Sequence, residues 1–186
     1  QVIESLKKNP EAKNTDLFVF SDGCKYVDDN DKVNELRSFL KTVKGFKSVK
    51  IFERKTNYGL GINLIDGITR ILETYDRVIV LEDDIVVNTN FLAFMNQCLT
   101  KYKDNKDMFT IQATTGNPNA SADVICRKQP NCWGWAIWRD RWDLFERNVP
   151  MSFLEANDNN MDLRVKLNNN NAVNITWQMD ANLNKR

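Results

Sequence analysis

Apolar residues in the first 113 positions occur as short continuous runs and as longer helical repeats. The continuous runs predict four buried strands, at residues 17–20, 49–52, 77–81 and 108–112. The helical repeats predict helices at residues 31–43, 62–74 and 91–102. Asn90 or Thr89 is the predicted cap of the last helix. The order β-α-β-α-β-α-β predicts an α/β fold with a mostly parallel sheet and helices on both faces.

Beyond residue 113 the periodicity fades. We expect a loop at 114–132 and a tryptophan-rich segment at 133–147 that starts extended, and the chain is polar at 150–175. With 186 residues, the chain has the length of one ordinary domain with a hydrophobic core. We therefore expect a single domain over residues 1–186.

The charge balance and the absence of histidine narrow the function classes. With 26 basic and 25 acidic residues, the net charge of +1 gives no electrostatic reason to expect nucleic acid as a partner. Without histidine there is no Ser-His-Asp or Cys-His pair, so carboxylates or a metal must carry any catalysis. The four cysteines show no Cys-x-x-Cys spacing, which favours reduced thiols in a cytosolic protein over a zinc site. No apolar stretch reaches the roughly 18 residues that span a bilayer.

Two acidic turns follow predicted strands. Asp22 follows the first strand, and Glu82, Asp83 and Asp84 follow the third. In open α/β sheets, ligands bind at the carboxyl ends of the strands. Adjacent carboxylates repel one another, and a hard divalent cation such as Mg²⁺ or Mn²⁺ relieves that repulsion and can bridge a diphosphate. The alternative is a solvated acidic turn without a ligand.

Four tryptophans lie within ten residues, at Trp133, Trp135, Trp138 and Trp142. Indole faces are good platforms for sugar rings, and Gly134 permits close approach of the backbone. On a helix, Trp135, Trp138 and Trp142 would share one face, which would exclude Trp133. The segment therefore predicts either a sugar-binding surface or an aromatic core cluster under a long loop.

The segment Asn57–Gly61 precedes the second predicted helix and contains two glycines. It lacks the Gly-x-Gly-x-x-Gly or Walker spacing, so it is a weak signal for phosphate binding. Arg54, at the end of the second strand, lies on the same side of the predicted sheet. It is a candidate for contact with a phosphate, and a surface salt bridge is the alternative.

Taken in order, four segments resemble bacterial family-2-type GT-A glycosyltransferases. They are LFVFSDG at 17–23, KTVKGFKSVKIFERKTNYGLG at 41–61, RVIVLEDDIVVNTNFLAFMNQCL at 77–99 and CWGWAIWRDRW at 132–142. More distantly, they are similar to the eukaryotic GlcNAc-transferase that begins complex N-glycans. The resemblance covers about residues 1–147. It implies a GT-A, Rossmann-like domain with a nucleotide-binding half at 1–113 and a sugar- and acceptor-binding half at 114–186.

The family's first strand would lie before Gln1, and the family continues past Arg186, so we expect a catalytic domain that is incomplete at both ends. The resemblance also implies roles for individual residues. Asp22 matches the aspartate that contacts the base of the nucleotide. In the family's EDD motif, which begins here at Glu82, Asp84 matches the metal ligand and Asp83 the residue that faces the ribose. Two tryptophans match a loop that lines the donor-sugar and acceptor pocket: Trp133 and Trp135.

The general base of the family is an aspartate next to a tryptophan in the C-terminal part. Trp177 occupies that place, but neither of the two residues before it is acidic. Asp180 is the nearest carboxylate and therefore the candidate base, with Asp158 and Asp162 as further candidates.

These assignments predict a metal-dependent inverting glycosyltransferase of polysaccharide biosynthesis, a hexosyl- or N-acetylhexosaminyl-transferase. It would move a sugar from a nucleoside diphosphate donor, a UDP-sugar, onto a glycan or lipid-linked acceptor, with Mn²⁺ or Mg²⁺ as cofactor. We expect it in the cytoplasm, with peripheral association at the inner face of the cell membrane. One alternative is a non-catalytic domain that binds a nucleotide or sugar, and another is a nucleotidyltransferase. Fold alone does not separate these functions.

Overall fold

The computed structural model describes residues 1–113, 124, 126 and 132–146. Its α-helices are α1 (Val2–Leu6), α2 (Asn30–Lys41), α3 (Leu60–Leu72), α4 (Phe91–Lys101) and α5 (Arg139–Trp142). Its strands are β1 (Asp16–Ser21), β2 (Ser48–Glu53), β3 (Arg77–Val80), β4 (Thr110–Gln112) and β5 (Trp135–Trp138). Short 3-10 helices lie at Pro10–Asn14 and Val27–Asp29. The predicted strands and helices are thus confirmed as elements, with small shifts at their ends.

The chain divides into two compact units. The first comprises residues 1–123 and 130–143, and the second comprises 124–129 and 144–186. Every strand and α-helix named above belongs to the first unit.

The described strands form two sheets. In the first sheet, β1 and β2 pair in parallel from Asp16 opposite Ser48 to Ser21 opposite Glu53. In the second sheet, β5 lies between β3 and β4 and is antiparallel to both. The mixed α/β class is therefore confirmed. The described strands do not form the single, mostly parallel sheet that was predicted, because the tryptophan-rich segment contributes β5 in the opposite direction.

Helix α3 packs on strands of both sheets. A Cβ atom on Gly67 would lie 3.1 Å from the ring of Phe20 in β1, so the glycine allows the helix to approach that strand closely. Ile68 and Leu72 pack with Val80 of β3 in one apolar cluster. Each of β1 and β3 has one edge without a strand partner among the described residues.

The second sheet has apolar clusters on both faces, as expected from the alternation of side chains along a strand. Ala136 and Trp138 of β5 contact the larger cluster, which includes Phe91, Met95 and Leu99 of α4. The indole N–H of Trp138 donates to the carbonyl oxygen of Leu99 at 3.0 Å. On the other face lies the cluster of α3 and β3, which includes Ile137 of β5. This sheet is therefore covered by helices on both sides, as predicted.

Candidate functional site

The acidic motif after β3 forms an exposed turn. The N–H of Ile85 donates to the carbonyl oxygen of Glu82 at 3.3 Å and closes it. Glu82 is half-buried, and Asp83 and Asp84 are exposed. Within the described part of the chain, no protein group donates a hydrogen bond to any of these three carboxylates.

Asp84 lies in a cleft with the start of the tryptophan-rich segment. The cleft has a volume of ≈ 590 Å³ and is bounded by the turn after β3, the first turns of α4, the end of β4 and the residues before β5. Its lining residues are Asp84, Ile85, Val86, Val87, Asn88, Asn90, Phe91, Phe94, Ala113, Trp133 and Gly134. The cleft therefore brings together Asp84 and Trp133, two of the residues that the sequence singled out.

Trp133 is 62% exposed, which is unusual for so large an apolar side chain. Gly134, which follows it, has φ +70°, a conformation that favours glycine. A Cβ atom there would lie 3.4 Å from the side chains of Leu81 and Phe91. The carbonyl oxygen of Gly134 accepts a hydrogen bond from the N–H of Ala113 at 3.0 Å, so Trp133 projects from an anchored backbone.

Trp135 does not line this cleft. It lies in β5 and packs, together with Trp142, against the cluster of Ile68 and Val80. Trp138 is 2% exposed and belongs to the opposite cluster. The aromatic core interpretation therefore describes these three tryptophans, and Trp133 is the one exposed in the cleft. They do not share a helical face, because β5 ends at Trp138 and α5 begins only at Arg139.

The carboxylate of Asp22 is fully engaged by the protein. Its Oδ1 accepts the N–H groups of Gly23 and Tyr58, both at 2.8 Å. Its Oδ2 accepts the N–H of Gly59 at 2.9 Å and the side-chain amide of Asn57 at 3.2 Å. A carboxylate has about four acceptor positions, and all are occupied here. We call Asp22, Gly23 and Asn57–Gly59 the Asp22 clasp. A nucleotide base could bind this carboxylate only by displacing one of these donors.

Two arginines support the strand ends beside the clasp. Arg37 of α2 donates from Nη2 to the carbonyl oxygens of Asp22 at 3.0 Å and Arg54 at 2.8 Å. Its Nε donates to the hydroxyl of Ser21 at 3.2 Å. These bonds join the ends of β1 and β2 through a single side chain.

Arg54 itself is 8% exposed and forms an ion pair with Asp66 of α3. Its Nε donates to the side-chain oxygen of Asn63 at 3.0 Å, and its guanidinium lies 4.7 Å from the ring centre of Tyr58. The salt-bridge alternative for Arg54 is therefore confirmed, although the pair involves a buried arginine rather than a surface one.

A second group of charges lies beside α5. Hydrogen bonds from Lys106, at 2.6 Å, and from Arg141 lower the pKa of Asp140 to about 2. The guanidinium of Arg141 lies 4.3 Å from the ring centre of Trp138 and donates to the carbonyl oxygens of Lys103 and Asn105. These contacts hold the turn after α4 to α5, which is a structural role.

The described residues fit a metal site in which one carboxylate of the protein holds the cation and the substrate and water supply the other ligands. Within residues 1–113 and 132–146, no three acidic or thiol side chains are grouped to hold a metal ion by themselves. Mg²⁺ and related cations are commonly held by one or two carboxylates, with substrate phosphates and water as the other ligands. The exposed carboxylate of Asp84 in the cleft suits that second arrangement. The candidate bases Asp180, Asp158 and Asp162, and Trp177, lie outside the described residues.

Asn88, Phe94 and Ala113 line the cleft but carry no sequence motif that predicted a role there. Asn90 was predicted only as a helix cap. Only a short segment separates Asp84 from the start of α4. This short spacing was the available signal that the residues after Asp84 lie near it in the cleft.

Comparison with protein-family models, characterised proteins and solved structures finds no match to the chain. The glycosyltransferase resemblance therefore depends on the four sequence segments quoted above. In the described ranges, no helix combines the length and apolar character needed to cross a bilayer.

Proposed function

We propose that this chain is a metal-dependent, inverting glycosyltransferase that takes its sugar from a UDP-sugar. The observation that carries the proposal is that Asp84, from the end of β3, and Trp133, from the segment before β5, line one cleft. These residues are 49 positions apart and were singled out by different motifs, one for a metal–diphosphate and one for a sugar.

Asp84 is the residue proposed to hold the cation, and the nucleotide diphosphate supplies further oxygen ligands. Asp83 is proposed to face the ribose and Glu82 to border the donor. Bound in this way, Mg²⁺ or Mn²⁺ would neutralise charge on the leaving diphosphate. The support for this assignment is that the three carboxylates receive no protein donor in the described part of the chain.

Trp133 is proposed to pack its indole face on the C–H face of a sugar ring. Its exposure in a largely apolar cleft supports this role, because an exposed indole gains from covering apolar ligand surface. Trp135 supports the cleft only indirectly, from β5. Asp22 is proposed to act on the nucleotide through the Asp22 clasp, by fixing the loop between β2 and α3.

The transfer itself requires a general base. We propose that Asp180 accepts the proton of the acceptor hydroxyl while the acceptor oxygen bonds to the anomeric carbon. The bond from that carbon to the diphosphate breaks in the same step, so the anomeric configuration inverts. Asp158 and Asp162 are the alternatives for this role. The acceptor is a glycan or a lipid-linked sugar, and the site of action is the cytoplasm or the inner face of the membrane.

The finer fold belongs to the same proposal. We infer that the two sheets are parts of one GT-A, Rossmann-like sheet, with a nucleotide-binding half at 1–113 and a sugar- and acceptor-binding half at 114–186. The support is that α3 packs on both β1 and β3, which are not hydrogen-bonded to each other. Neighbouring strands lie about 4.7–4.9 Å apart, and a helix is about 10–12 Å across. One helix can therefore cover two strands that have a single strand between them. The inferred sheet therefore has one further strand between β1 and β3.

Replacement of Asp84 by asparagine tests the function. We expect Asp84→Asn to lower the affinity for UDP in the presence of Mn²⁺ by at least about tenfold, because a neutral amide is a poor ligand for a hard cation. Without Mn²⁺, the affinity of the variant and the wild type should be equal. Calorimetric titration with UDP, GDP and dTDP measures both quantities.

The matched control is Asp104→Asn, which removes an exposed carboxylate from another turn. Equal Mn²⁺-dependent affinity in wild type and Asp84→Asn would refute the metal assignment. Tight binding of a UDP-sugar without turnover would favour the non-catalytic alternative.

A further inference from the structure

Asn90 occupies the cap position of α4, but its side chain does not cap the helix. Asparagine at this position ordinarily accepts a hydrogen bond from the N–H of the second or third helical residue. The Asn90 side chain makes no such bond. The residue is exposed and lines the cleft together with Asp84 and Trp133.

The cap of α4 comes instead from a residue 81 positions earlier. Asn9 is 2% exposed, and its Oδ1 accepts the N–H of Leu92, the second residue of α4, at 2.9 Å. Its Nδ2 donates to the carbonyl oxygens of Asn88 at 3.0 Å and Ser5 at 3.3 Å. Asn9 therefore performs the task that Asn90 would otherwise have, and it also fixes the segment that leads into the helix.

The backbone of Asn90 is nevertheless held firmly. Its N–H donates to the side-chain oxygen of Asn88 at 3.0 Å, and its carbonyl oxygen accepts the N–H of Phe94 at 3.0 Å. The carboxamide thus extends from a fixed backbone position into the cleft. With the backbone already fixed, only the side-chain torsions of Asn90 remain to be ordered when a ligand binds.

We propose that the carboxamide of Asn90 hydrogen-bonds a hydroxyl group of the sugar in the cleft and helps to select that sugar. This inference rests on the proposed function and deepens it. A carboxamide offers both a donor and an acceptor, and a sugar hydroxyl offers the same pair. Apart from Asp84 and Asn88, the remaining wall of the cleft is apolar, so the carboxamide of Asn90 is one of the few side chains there that can discriminate among hydroxyl configurations.

The experiment compares Asn90→Ala with Asn9→Ala and with Asn34→Ala, which removes an exposed asparagine from α2. Calorimetry gives the affinities for UDP and for UDP-glucose, UDP-galactose and UDP-N-acetylglucosamine with Mn²⁺, and urea unfolding gives the stability. We expect Asn90→Ala to bind UDP as the wild type does and to bind the preferred UDP-sugar about three- to tenfold more weakly, the effect of one hydrogen bond. Its unfolding midpoint should be unchanged, whereas Asn9→Ala should unfold at lower urea. Asn34→Ala should leave the affinities unchanged and should not lower the midpoint, because alanine favours the helix more than asparagine does.

The inference is overturned if Asn90→Ala lowers the unfolding midpoint as Asn9→Ala does and leaves the ratio of UDP-sugar to UDP affinity unchanged. Asn90 would then be an ordinary cap. Titration with free glucose, galactose and N-acetylglucosamine, followed by NMR, separates this inference from the proposed function because it needs no nucleotide. If the protein fails to bind UDP, weaker monosaccharide binding by Asn90→Ala still supports the role of Asn90. Unchanged or absent monosaccharide binding overturns it.

Discussion

Two acidic turns follow strands of this protein, and their carboxylates are in opposite situations. Asp22, after β1, accepts four hydrogen bonds, three from the loop between β2 and α3 and one from the N–H of Gly23. Asp84, after β3, lies in a cleft without a protein donor among the described residues. In sequence the two turns have in common that acidic residues follow a short apolar run, one acidic residue after β1 and three after β3.

The difference shows how a structural role can be told from a ligand-binding role for an acidic residue at a strand end. A carboxylate whose acceptor positions are filled by backbone N–H groups stabilises the fold, and binding a ligand through it would require the loss of a bond. A carboxylate without protein donors contributes little to stability and remains available to a cation. We therefore expect substitutions at Asp22 to affect stability first and substitutions at Asp84 to affect binding first.

The largest expected effect is on stability at Asp22. Asp22→Ala should lower the free energy of unfolding by about 3 kcal/mol, because it leaves several donors of the Asp22 clasp without an acceptor. Asp84→Ala should change it by less than about 0.5 kcal/mol, as expected for an exposed residue. Urea unfolding followed by circular dichroism measures both. Equal losses in the two variants would remove the distinction drawn between the turns.

A second test alters the clasp without touching its carboxylate. A Cβ atom on Gly23 would lie 2.4 Å from the backbone carbon of Thr56, so the loop must move to accept Gly23→Ala. We expect a loss of about 1–3 kcal/mol, typical of overpacking. Gly61, near the start of α3, has no atom within 4 Å of the corresponding position. Gly61→Ala should therefore gain about 0.5–1 kcal/mol from helix propensity. If Gly23→Ala were as stable as the wild type, the clasp would be looser than its bonds indicate.

The smallest expected effect concerns a third carboxylate, Asp140, which has cationic donors. Hydrogen bonds from Lys106 and Arg141 lower its pKa to about 2. A depressed pKa contributes stability that is present above the ordinary value near 3.8 and is lost as the pH falls toward 2. Because the pair is about half-exposed, the contribution should be below about 1 kcal/mol.

Comparison of wild type and Asp140→Asn by urea unfolding at pH 6, 4, 3 and 2 measures the contribution of the Asp140 charge to the free energy of unfolding. The variant should be less stable at pH 6, and the difference should shrink between pH 4 and pH 2. A difference that is constant with pH would show that Asp140 acts through something other than its charge.

Much of the fold follows from local patterns. The continuous apolar runs identified β1, β2 and β3, because a buried strand needs consecutive residues that are compatible with apolar surroundings. The helical repeats identified α3 and α4, because apolar residues at helical spacing form the face of a helix that packs on the core. β4 proved shorter than predicted, since residues 108 and 109 belong to the irregular segment that leads into it.

The parts that could not be predicted depend on partners distant in the sequence. The direction of β5 depends on its pairing with β3, more than 50 residues earlier, and the tryptophan pattern itself was compatible with a helix. The resemblance implied the same role for Trp133 and Trp135, yet the first lies in the cleft and the second packs in a core cluster. Likewise, three of the four donors that occupy Asp22 come from residues 57–59. The proposed base Asp180 stays a prediction.

The arrangement of α3 has a consequence for how the molecule opens. No backbone hydrogen bond joins the β1–β2 sheet to the described strands of the other sheet, and the two are connected through side chains such as those of α3. The further strand inferred between β1 and β3 would join the two sheets by a hydrogen-bonded ladder and make them open together. Without that strand, the two sheets can behave as separate cooperative units. Native-state hydrogen exchange should then show amides of β1 and β2 exchanging through a partial opening in which β3 and β5 stay protected. The close contact of α3 with Phe20 at Gly67 is one that such an opening would have to break.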